Sequence, residues 1–199
     1  MSPDLSSEKA VLRQALRAKL ASVSESDRAA ASILAGERLV KQYAWYRASH
    51  VLLYAPLRDE LNLWPLAELV LTSDNNLMLP GFDPAQGIYM LRRVTDLAND
   101  LAPGKFGILE PKPHCPIVPI NQLDLALVPG VAFDTYGRRL GRGKGFYDQL
   151  LTGFTGIKCG VGYDFQVVER IPAEPHDVVL DCILTPSRWL EVPPRAVEE

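Results

Sequence analysis

Residues 137–145 hold four cations, Arg138, Arg139, Arg142 and Lys144, interleaved with four glycines. So many like charges repel unless a polyanion is shared among them, and a nucleoside triphosphate answers that need. The glycines would let the backbone come close to it. Two familiar phosphate loops are excluded. A Walker A loop requires Gly-Lys-Ser/Thr, but Gly145 follows Lys144 and the metal-holding hydroxyl is missing. The dinucleotide pattern fails because Phe146 stands where its third glycine belongs. On composition alone the alternative is a solvated basic hairpin whose glycines serve only its turn. Tyr147 and Asp148 fall in the first turn of the helix that follows, where the carboxylate either caps the helix or holds Mg2+ beside phosphates.

Such a loop needs elements to carry it. Residues 125–128 (LALV) are a buried-strand run before it, and residues 146–154 read as the helix after it. That order aims backbone N–H groups at an anion, at the carboxyl end of a strand. Upstream, Leu12, Ala15, Leu16 and Leu20 recur at helical spacing, and residues 24–27 start a second helix expected to reach about Tyr43. Strands are expected at 51–54, at 77–79 with a stop at Pro80-Gly81, and at 88–94, 157–161 and 178–184. A helix is expected at 63–71, with Pro65 in its first turn. The alternation predicts an α/β fold with a mostly parallel sheet covered by helices on both faces.

The 199 residues are 47% hydrophobic, enough for one large domain, placed here at residues 1–190, with the polar, Pro-rich 191–199 expected to fray. A formal net charge of -3 gives no general attraction to nucleic acid or anionic membrane, so the basic site is local. Cys115, Cys159 and Cys182 are odd in number and far apart, which reads as reduced thiols in strands. With no secretory h-region and no bilayer-length apolar run, the expected location is the cytoplasm.

Residues 129–134 (PGVAFD) and 137–148 (GRRLGRGKGFYD) together resemble the signature of the 5-formyltetrahydrofolate cyclo-ligase family, also called methenyltetrahydrofolate synthetases. The resemblance extends to Lys9 and Arg13, Glu60, the 107–111 turn, Gly162-Tyr163 with Gln166, and His176-Asp177 leading to Asp181. It implies a three-layer α/β/α sandwich similar to sugar-phosphate isomerases and CoA transferases. It also implies an ATP- and Mg2+-dependent closure of 5-formyltetrahydrofolate, with or without a polyglutamate chain, to 5,10-methenyltetrahydrofolate; a monomer is the expectation for its assembly, which the sequence itself does not give.

By position, the resemblance assigns ATP to Lys9, Arg13, Arg138, Leu140, Gly141, Arg142, Gly143, Lys144, Gly145, Phe146 and Tyr147. It assigns Mg2+ to Asp148 and Asp181, and the folate to Glu60, with Arg142, Lys144 and Tyr147 bordering both substrates. Tyr54 and Tyr147 are plausible flanking surfaces for the folate. Read without the family, Lys9 and Arg13 are an i,i+4 pair on a solvated helix face, and Glu60 merely begins a helix. Asp181, between Leu180 and Cys182, would be a carboxylate buried in a strand, costly unless paired or metal-bound. His176 reads as a loop residue rather than a catalyst. The chain departs from the family after Glu60, where Leu61-Asn62-Leu63 replaces a common Asp-Thr pair, and at Phe146, where Tyr is frequent. No GxSxG or HExxH pattern is present, and phosphoryl transfer demands no protein nucleophile. A relative that keeps the ATP loop as a regulator, and a nucleic-acid module using the basic loop, are the rival readings.

Overall fold

The computed structural model describes residues 5–104, 107–172, 174 and 177–193. His176 and residues 194–199 therefore lie outside the described residues. Helix α1 (Leu5–Ser22) buries Leu16 and Leu20 and, with them, Lys9. Ser24 caps α2 (Glu25–Leu39) by accepting the Asp27 N–H. This helix is shorter than its pattern suggests. Lys41 N–H donates to Arg38 and Gln42 N–H to Leu39, tightening the last turn, and Tyr43 starts a separate helix, α3 (Tyr43–Arg47).

The chain continues through β1 (His50–Leu52), α4 (Trp64–Leu71), β2 (Asn76–Asp83), β3 (Ile88–Val94) and α5 (Leu97–Asp100) to the hairpin β4 (Leu101–Pro103) and β5 (Leu109–Pro111). There follow β6 (Leu125–Pro129), β7 (Ala132–Asp134), β8 (Arg139–Leu140), α6 (Phe146–Leu150), β9 (Ile157–Val161), β10 (Val167–Val168), β11 (Cys182–Leu184) and β12 (Trp189–Glu191). The main sheet has seven strands in the order β12-β11-β9-β6-β1-β2-β3. Its interior pairs are parallel, and only the edge pairs β2·β3 and β11·β12 are antiparallel. The order reverses between β1 and β6, so the carboxyl ends of these two strands flank a crevice.

Period-two alternation sorts the sheet onto two cores. Val51, Leu77, Leu125, Leu127 and Cys159 face a core with Leu39, Leu66 and Val70 from the helices. Leu52, Met78, Ala126 and Val128 face the opposite core, with Phe133, Leu151 and Phe154. The mostly parallel sheet is thus covered on both sides, and a small sheet, β10-β7-β8, packs Val131, Ala132 and Leu140 against Leu16 of α1.

Several boundaries differ from the sequence reading. β2 runs through Pro80-Gly81 instead of stopping there. The last β1·β2 pair is Leu52↔Met78, so Pro80, which has no N–H to give, falls beyond the end of that ladder. α6 ends at Leu150 rather than near Phe154, in i→i+3 turns through Thr152 and Phe154. The last parallel strand contains only Cys182–Leu184, and β12 carries order into Glu191, inside the segment expected to fray. All three cysteines are free and buried, but Cys115 sits in a turn rather than a strand. Among the described residues no helix is long and apolar enough to cross a membrane.

Candidate active site

At the carboxyl ends of β1 and β6 lies a cavity of about 750 Å³, lined by Tyr54, Leu57 and Glu60 from the first and by Pro129 and Gly130 from the second. This volume is in the range of small-molecule sites. One wall is the cationic loop 139–148, and α1 forms another with Lys9, Arg13 and Arg17. In the loop Gly143 (φ 99°) and Gly145 (φ 64°) take left-handed backbone that a side chain would strain. α6 has five residues and sums few peptide dipoles, so the positive potential comes mainly from side chains.

The cations are not left to repel one another. Arg142 Nη2 donates to Asp59 at 2.6 Å and to Glu60 at 3.2 Å, while its Nε donates to Glu60 at 3.3 Å. Arg139 Nη2 reaches both oxygens of Asp148, at 2.9 and 3.0 Å, and Nη1 donates to the Pro129 carbonyl. Its guanidinium lies over the Tyr147 ring at 5.6 Å. Lys9 Nζ is held by Glu174 at 2.7 Å and Asp177 at 2.8 Å. Arg13 and Arg17 donate to the Gly141 and Arg142 carbonyls, which pins α1 to the loop.

Burial sets the protonation states. It pushes the Glu60 carboxyl up, opposed by the Leu57 N–H and by Arg142. It pushes the Arg142 guanidinium and Lys9 ammonium down, but Asp59 and Glu60 for the one, and Asp177 and Glu174 for the other, more than reverse this. The phenols of Tyr54 and Tyr147 are driven up chiefly by burial, and that of Tyr89 to about 12 by burial and Glu110. All three stay neutral donors at neutral pH, compatible with an anionic neighbour. Tyr54 spends its hydroxyl on the Leu61 carbonyl at 2.9 Å, and Tyr89 packs edge-on against Phe146 with centroids 4.9 Å apart. The cavity wall therefore combines aromatic rings, carboxylates and cations.

A model of the 5-formyltetrahydrofolate cyclo-ligase family matches residues 5–186. The chain belongs to that family. The 5-formyltetrahydrofolate cyclo-ligase of Escherichia coli is 33% identical over 148 residues, covering 72% of this chain and 81% of the other. The Mycolicibacterium smegmatis cyclo-ligase is 36% identical over 142 residues, with 69% and 73% coverage. The solved structure of Aquifex aeolicus 5,10-methenyltetrahydrofolate synthetase superposes with a TM-score of 0.84 at 35% identity, covering 96% of each chain. A second synthetase structure, from Mycoplasma pneumoniae, has a TM-score of 0.72 at 23% identity, a likeness of fold.

Most of the positions singled out from the cyclo-ligase signature converge on this cavity. Lys9, Arg13, Tyr54, Glu60, Leu140 and the run from Gly141 through Asp148 all line it. Arg138 does not. Its guanidinium turns to the buried Asp134 (3.8 Å) and lies over the Tyr136 ring, while the adjacent Arg139, the first residue of β8, lines the cavity and pairs with Asp148. Asp181 is also elsewhere. It is exposed, sits just before β11, pairs with Lys158 Nζ at 3.0 Å and borders a neighbouring depression that shares Asp148, Thr152 and Asp177 with the cavity, so the burial argument made for it does not apply. Arg17 and Tyr89 also line the cavity and were not among the residues singled out from the sequence, whereas Arg139 was, as one of the four loop cations. Arg17 had a signal, since it extends Lys9 and Arg13 to i+8, whereas nothing in β3 distinguishes Tyr89.

Proposed function

We propose that this chain is an ATP-dependent ligase that closes 5-formyltetrahydrofolate to 5,10-methenyltetrahydrofolate and releases ADP and phosphate. The observation that carries this reading is that loop and α1 cations share one cavity with the partly buried Glu60 carboxylate and an aromatic wall. The formyl group is an amide, so its oxygen must be activated before it can leave. In the proposed sequence the formyl oxygen attacks the γ-phosphorus of ATP, ADP departs, and N10 adds to the activated carbon. Loss of the N10 proton to the departing phosphate, with cleavage of the carbon–oxygen bond, then leaves the methenyl bridge.

Lys9, Arg13, Arg139, Arg142 and Lys144 bind and neutralise phosphate oxygens, which is the main demand of phosphoryl transfer. Arg142, fixed by Asp59 and Glu60, stands at the boundary between the nucleotide and folate ends, with Lys144 and Tyr147 beside it. Glu60, Tyr54 and Tyr147 form the folate end; ring closure is intramolecular, so they need only hold N10 near the formyl carbon. Magnesium takes oxygen ligands and keeps several waters, so one carboxylate together with ATP phosphates meets its needs. Asp148 fits that role on the cavity wall, where its carboxylate now accepts from Arg139; Asp181, placed against Lys158, does not share the cavity. When bound, the ion would add charge neutralisation at the phosphates.

The test is to mix purified protein with 5-formyltetrahydrofolate and Mg-ATP and follow the amidinium chromophore of the product together with ADP. Both should appear in equal amounts. ADP without chromophore would replace this reading with a hydrolase, and neither signal would discard it.

A further inference from the structure

Away from the cavity, His114 Nε2 lies 3.0 Å from Asp100 Oδ1, and the Cys115 thiol points to the Asp100 carbonyl at 3.6 Å. One ligand atom from each residue lies within 4.8 Å of the others, and among the described residues no other such trio of His, Cys, Asp or Glu occurs. We propose that Asp100, His114 and Cys115 form a zinc site, distinct from the magnesium and nucleotide chemistry of the cavity.

The three residues are oriented by bonds outside the trio. Asp100 Oδ2 accepts the Thr95 and Asp96 N–H groups and the Thr95 hydroxyl, which turns Oδ1 toward His114. Lys112 N–H donates to the Asp100 carbonyl, Cys115 N–H closes a turn onto Lys112, and Arg92 Nη1 donates to the Pro113 and Cys115 carbonyls. Supporting bonds of this kind hold metal ligands in place before the ion arrives. The two nearby cations are engaged, Arg92 on those carbonyls and Lys112 Nζ on the Asn99 carbonyl at 2.6 Å. Cys115 is buried, whereas the His114 side chain is 61% exposed, so the trio is closed below and open to water above.

Thiolate, imidazole and carboxylate together disfavour Mg2+ or Ca2+ and suit Zn2+, with water in the fourth position. On binding, Cys115 releases its proton to solvent, and the ion replaces the hydrogen bond between His114 and Asp100. Thiolate and carboxylate match the two positive charges. The clamp would tie α5 to the turn after β5, the strand whose Glu110 accepts from Tyr89 at the cavity.

Metal-free protein, with excess Mg2+ and no nucleotide, is titrated with Co2+ as a spectroscopic probe and then with Zn2+. One equivalent of Co2+ should bind with a thiolate-to-metal band in the near ultraviolet, and Zn2+ should displace it and raise the melting temperature. Cys115→Ser should abolish the band. His114→Ala, at an exposed side chain that leaves the fold intact, should weaken Zn2+ at least tenfold. A band that survives Cys115→Ser, or His114→Ala binding as tightly as the parent, would overturn the proposal. None of these readouts depends on ligase activity.

Discussion

Arg142 concentrates the residue-scale argument, because it joins the two ends of the cavity and balances two carboxylates at once. Arg142→Ala would leave Glu60, 10% exposed, without its cation, costing about 2 kcal/mol of stability. It should also lower kcat/KM roughly 100-fold through lost transition-state stabilisation. Arg142→Lys keeps the charge but not the fork, so denaturant melts should recover while turnover does not; parent-like kinetics in this variant would refute a bidentate role. Lys144 makes the contrasting case. It is exposed, so Lys144→Ala should change stability by no more than about 0.5 kcal/mol, yet raise the KM for ATP or lower kcat. Unchanged kinetics would show that this cation does not meet phosphate. The residue types of the loop were legible in the sequence, but which of Arg138 and Arg139 lines the cavity depends on where β8 begins and pairs with β7, which no local pattern announces.

The strand that was easiest to recognise is β6, with both faces buried, whose apolar run leaves no other reading. Elements set by long-range partners were not legible: β2 passes through Pro80-Gly81 because β3 pairs along its full length, and β12 exists because β11 offers an edge. Gly160 in β9 shows a tertiary demand hidden in one letter. A Cβ there would lie 2.6 Å from Leu180 and 2.8 Å from the Phe133 ring, so Gly160→Ala should destabilise by about 1–3 kcal/mol in urea melts. At the β11 and β12 corner, Asp164 accepts from the Thr185 hydroxyl at 2.6 Å, the Ser187 hydroxyl and Arg188 Nε. Burial raises the Asp164 pKa, and these donors more than reverse it, leaving it lowered. Its contribution is therefore full above the unfolded value near pH 4, and is lost as pH falls through the lower folded one. Discounted for solvent exposure, Asp164→Asn should cost about 0.5–1 kcal/mol at pH 7, with the two melting curves converging below about pH 4. A gap that persists in acid would assign the loss to packing instead.

For the whole molecule, a formal charge of -3 coexists with a cavity bordered by Lys9, Arg13, Arg17, Arg139, Arg142 and Lys144. The acidic partners Asp59, Glu60, Asp148, Glu174 and Asp177 let these cations converge, so the fold tolerates the site without relying on a polyanion to neutralise it. The sequence could reveal the cations through their clustering but not these pairings, whose acidic members come from three separate segments. A triphosphate bound as proposed would have to compete with those carboxylates, and would join α1, the loop and the crevice between β1 and β6 into one bound unit. Its binding should therefore be read both as salt-sensitive affinity and as global stability. Raising ionic strength from about 0.05 M to about 0.5 M should weaken ATP several-fold, because part of the attraction acts over distances that salt screens. At ATP about 100 times its Kd, binding to the folded state alone is worth about 2.7 kcal/mol. For a domain of this size that corresponds to a melting temperature about 5–10 °C higher. Arg13→Ala, which unpins α1 from Gly141, should give a smaller shift at the same ATP concentration. An equal shift in that variant, or an affinity indifferent to salt, would place the nucleotide outside this cavity.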